Sequence, residues 1–496
     1  MDKQNNKRIR TRDEFSSFLE SLFSVVSAEN IIYDPERLTA YECDGLTAFR
    51  ATPLAVLLPR SVEEILSILA VCKRYKVPIV PRGAGTGLSG GATPIEGAVV
   101  LSLARFNRVL EIDPKNRTAR VEPGVTNIRV SQEAAPYGLY FSPDPSSQIA
   151  CTIGGNIAEN AGGIHCLKYG LTVNNVLGLK LITLEGDILT LGGKGAESPG
   201  YDLLPLIVGS EGLLGIIVEA TLRLLPKPEC AQLVVGCFDD LAKASQAVSL
   251  ILSFGIIPSG LEMMDKLVLD AVQADMPRAL LNSAQAILFC EVDGMQEEVE
   301  EQSIRVKEIM LKAGAKEIVV SKDDSERMLL WKCRKSAFPA MGRISPDYYC
   351  MDGTIPRKKL AYLLKKIDEL SAHYNLKVGN VFHAGDGNLH PLILYDQSVP
   401  GEFEKVEKMG EKILELCVQV GGVITGEHGV GLEKLNSMCI QFSSEEIEQF
   451  RRVKKAFDPY SLLNPAKTIP TLHRCAEFGK MHLHKDNDLW GGLERF

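Results

Sequence analysis

Three histidines and one glutamate carry the densest chemistry in this chain. His383 and His390 flank an Asp386-Gly387 pair inside the segment Val381-Phe-His-Ala-Gly-Asp-Gly-Asn-Leu-His-Pro-Leu-Ile-Leu394. Asp-Gly between apolar segments predicts a two-residue hairpin turn, because a type I′ turn needs positive φ at both central positions. A turn centred on that pair places His383 directly opposite His390, on one face of the ribbon, with Cβ atoms about 5 Å apart. Two imidazoles at that separation can chelate one metal ion. A third ligand is on offer in Gly426-Glu427-His428-Gly429, which holds a carboxylate and an imidazole between glycines. The same two histidines can instead brace the hairpin through hydrogen bonds, with no metal. A metal with a spare histidine beside it suits chemistry on an oxygen substituent.

The elements that must position these residues are spread over 496 residues, too many for one ordinary core. The net charge of −8 argues against a general nucleic-acid binder, which needs clustered positive charge. The basic opening (Lys7, Arg8, Arg10, Arg12) has no apolar run behind it, so it reads as neither a signal peptide nor a membrane anchor. No apolar stretch is long enough to form a transmembrane segment. None of the twelve cysteines forms a Cys-x-x-Cys pair, which speaks against an iron–sulfur cluster in this chain and predicts reduced thiols in a cytoplasmic protein.

Residues 13 to 32 read as a helix capped by Asp13, with Phe15, Phe18, Leu19, Leu22 and Phe23 on one face. Residues 54–58 read as a strand. Ser61-Val-Glu-Glu64 reads as a capping box opening a helix to about Tyr75, and residues 77–80 as the next strand. A glycine loop follows, Pro81-Arg-Gly-Ala-Gly-Thr-Gly-Leu-Ser-Gly-Gly91. Gly85, Gly87 and Gly90 make a formal G-x-G-x-x-G, but a dinucleotide fingerprint must open a helix. Here Ala92-Thr-Pro94 and a strand-like run over 97–102 come next, so no helix can start there. The free N–H groups of the loop can still cradle phosphates. A second glycine-rich segment runs from Ser142 through Gly154-Gly155-Asn156 to Gly162-Gly163, and a third is Gly209-Ser-Glu-Gly-Leu-Leu-Gly215. Three such segments suit a long ligand with a pyrophosphate and a flat ring system. Pro226-Lys-Pro228 reads as a boundary. Beyond it, strands near 233–238 and 286–292 alternate with helices near 241–254, 296–314, 356–375 and 402–420.

In this order the three glycine segments resemble the FAD-binding domain of the vanillyl-alcohol oxidase and p-cresol methylhydroxylase type. His383 to His390, Gly426-Glu-His-Gly-Val-Gly431 and Asn464-Pro465 resemble its FAD-linked oxidase C-terminal domain. The resemblance runs over nearly the whole chain. It is strongest to the bacterial flavin subunits that oxidise glycolate, down to the tail beginning Thr471-Leu-His-Arg.

The resemblance implies an α+β fold: a two-subdomain FAD-binding domain of the p-cresol methylhydroxylase type plus a ferredoxin-like α+β cap. The expected division is an N-terminal helical segment over 1–49, the FAD-binding domain over 50–228, the substrate and metal domain over 229–470, and a tail over 471–496. FAD would lie between the domains. Some relatives attach it through a histidine in the first glycine loop. Gly85-Thr86-Gly87 has none, so the FAD is expected to be noncovalent. The positions matching the cofactor site are Pro81, Arg82, Gly83, Gly85, Thr86, Gly87, Ser89 and Gly90 in the first loop. Pro143, Asp144, Thr152, Gly154, Gly155, Asn156, Ala161, Gly162 and Gly163 follow in the second, then Glu211, Gly212, Gly215 and Ile217 in the third, with Asn464.

His383, His390 and Glu427 match a divalent metal site, read as zinc, and His428 matches the catalytic base that takes the hydroxyl proton of a 2-hydroxy acid. Arg334 matches the cation that grips the substrate carboxylate, with Lys335 and Arg343 as competitors nearby. Where relatives acting on 2-hydroxyglutarate carry a lysine and an asparagine, this chain has Cys350 and Leu392, which favours a small monoacid such as glycolate or D-lactate. The implied partners are an iron–sulfur subunit and a second flavin-domain subunit, in a complex peripheral to the inner face of the membrane, with the tail docking a partner. A stand-alone D-lactate dehydrogenase is the near alternative. A metal-dependent hydrolase and a noncatalytic FAD-binding subunit are the distant ones.

Overall fold

The computed structural model describes residues 11–195, 200–273 and 284–471. The expected role of the tail in docking a partner lies outside them, apart from Thr471. Three sheets organise the chain. The first has four strands, in the order Ile31–Ile32, Ala55–Leu57, Val99–Ser102, Ile79–Arg82. The last three are parallel, and the helix Val62–Tyr75 covers them with Ile65, Ile68, Leu69 and Cys72. The second is a five-stranded antiparallel sheet, in the order Val109–Asp113, Thr118–Val121, Ile216–Arg223, Val176–Ile182, Ile188–Gly192. The chain leaves it through Leu225–Pro226, which pairs with Leu139–Tyr140.

The third sheet has seven antiparallel strands, in the order Glu317–Val320, Cys230–Phe238, Ala286–Gly294, Gly260–Asp265, Val378–Phe382, Pro391–Tyr395, Asp347–Cys350. Its strands read as continuous apolar runs because both faces are covered. Alternate residues enter different cores. Val234, Phe238, Leu288 and Met263 pack under the helices Leu241–Ser253, Gln296–Lys312, Leu360–Tyr374 and Glu402–Gln419. Leu233, Val235, Phe289 and Met264 pack on the other face, against Lys266–Val272, Asp324–Lys335 and Ala337–Met341. Parity therefore sends Glu262, Glu291, His383 and His390 to that second face, which looks toward the glycine loops. The chain returns at its end to the first sheet, where Leu463 forms a parallel bridge with Ile79.

Some local expectations shift. The first helix is Arg12–Phe23, capped by Thr11 rather than Asp13, and Ile31–Ile32 is a strand, so the opening segment is not purely helical. Ser61 does cap its helix by accepting from the Glu64 N–H at 3.3 Å. The Glu64 carboxylate turns to the Arg60 N–H instead of completing a box. No helix lies between Gly83 and the strand Val99–Ser102, as the glycine loop predicts. Among the described residues ten cysteines stand outside any disulfide, but Cys439 is disulfide-bonded, against the expectation of reduced thiols throughout. Among the described residues, no helix is long and apolar enough to cross a membrane.

Candidate active site

A cavity of about 410 Å³ separates the glycine loops from the third sheet. Pro81, Arg82, Gly83, Gly85, Thr86 and Gly87 line it from the first loop. Thr152, Gly154, Gly155, Asn156 and Ala161 line it from the second, and Glu211, Gly212, Gly215 and Ile217 from the third. The other wall carries Arg334, His383, His390, Glu427 and His428. A Cβ on Gly87 would meet only Asp44 Oδ2, at 3.8 Å, and one on Gly155 only Thr152 Oγ1, at 3.4 Å. Side chains there would enter the cavity, so the glycines leave room for a flat ligand against bare backbone.

Seven positions expected at the cofactor do not line the cavity: Ser89, Gly90, Pro143, Asp144, Gly162, Gly163 and Asn464. They hold its wall from behind. The Ser89 carbonyl accepts the N–H groups of Leu432 and Glu433, and a Cβ on Gly90 would press on Leu432. The Pro143 carbonyl accepts from Asn127, and Asp144 accepts from the backbone N–H of His165. Gly163 backs onto Asp144 and Gly162 onto Glu427. Asn464 donates to the carbonyls of Gly91 and Glu211 at 3.0 and 2.8 Å.

The hairpin register differs from expectation. His383 pairs with Asn388, and Asn380 with Pro391, so the loop has four residues, Ala384 to Gly387. The N–H groups of Asp386 and Gly387 both donate to the His383 carbonyl, and of the pair only Gly387 has positive φ. His383 and His390 are therefore diagonal neighbours. The register moves by two residues, which preserves the face, where a shift of one would have inverted it. Their ring centroids are 5.2 Å apart.

Both histidines aim Nε2 at one oxygen. Glu427 Oε1 lies 3.1 Å from His383 and 2.8 Å from His390. Each Nδ1 is occupied on the far side, His383 by Glu262 Oε1 at 2.6 Å and His390 by the Met351 carbonyl at 3.4 Å. That pattern leaves both Nε2 atoms facing the carboxylate. Burial alone would raise the Glu427 carboxyl, but the two imidazoles outweigh it and hold it well below the usual range. His428 stacks on His390, with centroids 4.9 Å apart and planes 18° apart. Burial lowers its pKa to about 4, so it is neutral, and its buried Nδ1 has no partner.

Asp352 and Cys350 also lie near His390 and His428. Asp352 is spent on the loop backbone: it accepts from Thr425 Oγ1 at 2.5 Å and from the N–H groups of Gly426, Glu427 and His428. The Cys350 thiol donates to the Met351 carbonyl and burial pushes its pKa well up, which disfavours thiolate. Of the groups clustered here, His390, Glu427 and His428 remain, and His383 joins them through its Nε2, 3.1 Å from Glu427 Oε1; His383, His390 and Glu427 are the set that converges on one point. Their N,N,O chemistry fits zinc with open positions.

Arg334 is 2% exposed, and its Nη2 is bonded to Glu262 Oε2 at 2.5 Å, so one edge of the guanidinium is already taken; Nε has no partner. Lys335 also lines the cavity, whereas Arg343 does not and bonds the Ala271 carbonyl. Cys350 and Leu392 prove to be direct cross-strand partners. Neither lines the cavity. Both belong to the core on which Phe338, a lining residue, packs. Phe338 also meets the His390 ring edge-on at 6.1 Å. Sequence reasoning missed Phe338, Asp352 and Glu262. Glu262 had a signal, a carboxylate inside Gly260-Leu-Glu-Met-Met-Asp265, a strand buried at every position.

Known proteins resemble this chain in sequence and fold. Residues 53–192 match the FAD binding domain model, and residues 227–468 match that of the FAD linked oxidases, C-terminal domain. The chain is 56% identical over 481 residues to the glycolate oxidase subunit GlcD of Escherichia coli strain K12, covering 97% of this chain and 96% of that protein. The chain belongs to the FAD-linked oxidase family. Within it, the Bacillus subtilis GlcD subunit is 40% identical over 90% of this chain and 96% of its own length. A D-lactate dehydrogenase of Anaerostipes hadrus is 31% identical over the same shares. Among solved structures of the family's fold, p-cresol methylhydroxylase superposes with a TM-score of 0.78 at 18% identity, covering 93% of this chain and 98% of that one. The p-cresol methylhydroxylase type of fold is thus established.

Proposed function

We propose that this FAD-dependent dehydrogenase oxidises small 2-hydroxy acids, glycolate to glyoxylate foremost and D-lactate to pyruvate as a second substrate. The observation that carries the reading is the single cavity in which glycine-lined backbone faces His383, His390, Glu427, His428 and Arg334. Bound FAD would accept a hydride from the substrate carbon, and a divalent metal, zinc by donor chemistry, would lower the pKa of the substrate hydroxyl.

The rest is done by the chain. The three glycine segments would hold the cofactor noncovalently. His383, His390 and Glu427 would hold the metal. The unpaired side of Arg334, with Lys335 beside it, attracts the substrate carboxylate. Neutral His428 accepts the hydroxyl proton at a ring nitrogen. Phe338 closes the cavity over His390 and excludes water. Electrons would leave to an iron–sulfur subunit or a quinone, in a complex that also holds a second flavin-domain subunit. A metal-dependent hydrolase would leave the glycine-lined wall unused.

Anaerobic mixing with glycolate tests the reading. The absorption band of oxidised flavin should bleach, and more slowly with D-lactate. Protein loaded with FAD and zinc that keeps its band with both acids would overturn it.

A further inference from the structure

We infer that Glu262 is a positioning residue that sets the metal site and the substrate-anion site with one carboxylate. The inference rests on the function proposed above. Glu262 is fully buried. Its Oε1 lies 2.6 Å from His383 Nδ1, and its Oε2 lies 2.5 Å from Arg334 Nη2.

The fold brings the three together from distant segments. Met263 pairs with Phe382 and Met264 with Val381. Continuing that register sets Glu262 opposite His383 across the sheet. Arg334 descends from the helix Asp324–Lys335, which covers the same face. A buried carboxylate is costly unless every oxygen is paired, and here both are.

The contacts have separate consequences. Accepting the Nδ1 proton of His383 fixes the tautomer whose Nε2 faces Glu427, and it raises the basicity of that nitrogen as a ligand. Holding Nη2 fixes the guanidinium plane and leaves Nε unpaired, on a residue that lines the cavity. The two groups of a 2-hydroxy acid that need binding, hydroxyl and carboxylate, sit on adjacent carbons. Their two sites must therefore be spaced by one short rigid bridge, and a carboxylate shared between a ligand and a cation is such a bridge.

The test compares full-length, FAD-loaded wild type and Glu262→Gln in two measurements. Zinc affinity is read by titration against a competing chelator, and KM and kcat for glycolate are read with an artificial electron acceptor. FAD content and melting temperature report folding. Glu262→Gln is expected to weaken zinc binding roughly 10- to 100-fold and to raise KM for glycolate by about tenfold or more, with FAD content kept. If Glu262→Gln does not fold, Glu262→Asp, which keeps the charge but is too short to reach both partners, carries the same measurements and criteria. Wild type that binds zinc alongside a variant with unchanged affinity and KM overturns the Glu262 inference alone. Wild type that takes up no zinc overturns the metal reading, and the two-site role of Glu262 falls with it.

Discussion

His428 lies flat on His390, with ring centroids 4.9 Å and ring planes 18° apart. The candidate base is thus held by the candidate metal ligand, and replacing it risks moving that ligand. His428→Phe keeps a ring in the stack and removes the base. Flavin reduction by glycolate, followed anaerobically by stopped flow, should slow by about 10²- to 10⁴-fold while FAD and metal contents stay at wild-type levels. A rate within a few-fold of wild type would sink the assignment of His428 as base.

Gly162 belongs to a glycine segment yet sits behind the metal carboxylate. A Cβ there would come within 2.5 Å of Glu427 Oε2 and 3.2 Å of Glu427 Cβ. Gly162→Ala should push Glu427 off the two histidines, lowering the zinc-to-flavin ratio by about half or more at limiting zinc. FAD content should change little, because Gly162 does not line the cavity. Elemental analysis checks it, and parallel losses of zinc and FAD would contradict it.

Gly83 makes the opposite case. It lines the cavity, and a Cβ on it would overlap Thr152 Oγ1 at 2.3 Å. Thr152 caps the helix Ile153–Glu159 by accepting from the Gly155 N–H. Gly83→Ala should cost the cap, about 1 kcal/mol, and displace the backbone that faces the cofactor. The purified variant should carry less FAD than wild type, measured by the flavin-to-protein absorbance ratio, while zinc binding persists.

His165 joins the glycine-loop side to the third sheet, with Nδ1 at 2.9 Å from Asp144 and Nε2 at 3.2 Å from Glu291. Burial disfavours its charged form, but the two carboxylates outweigh burial and raise its pKa to about 10 from 6.5. The folded state therefore holds a proton that the unfolded chain releases, so the stabilisation is full below pH 6.5 and fades as pH rises toward 10. His165→Asn should lose about 2 kcal/mol at pH 6, less near pH 10. Melting curves across that range should converge for the two proteins, and a constant gap would refute the linkage.

Local chemistry was readable along the chain. Gly90-Gly91-Ala-Thr-Pro94 rules out a helix after the glycine loop by steric and backbone arguments alone, and the structure has none there. The apolar runs at 233–238 and 286–292 mark strands, and the structure has strands there. His383, His390, Glu427 and His428 were identifiable because imidazoles and a carboxylate between glycines are poor core material. Their meeting with the three glycine segments came from a resemblance, not from spacing.

Tertiary structure decided what depends on register and on distant partners. Asp386-Gly387 signals a turn but not its length. Packing over Ile355, whose carbonyl a Cβ on Gly387 would strike at 2.2 Å, accompanies a four-residue loop. Face survives that two-residue change because side chains alternate with period two. Nothing local shows that Glu262 meets both His383 and Arg334, since that contact joins two strands and a helix far apart in sequence. A buried carboxylate finds its partners only when the chain closes around it, because only in that dry space is leaving it unpaired prohibitive.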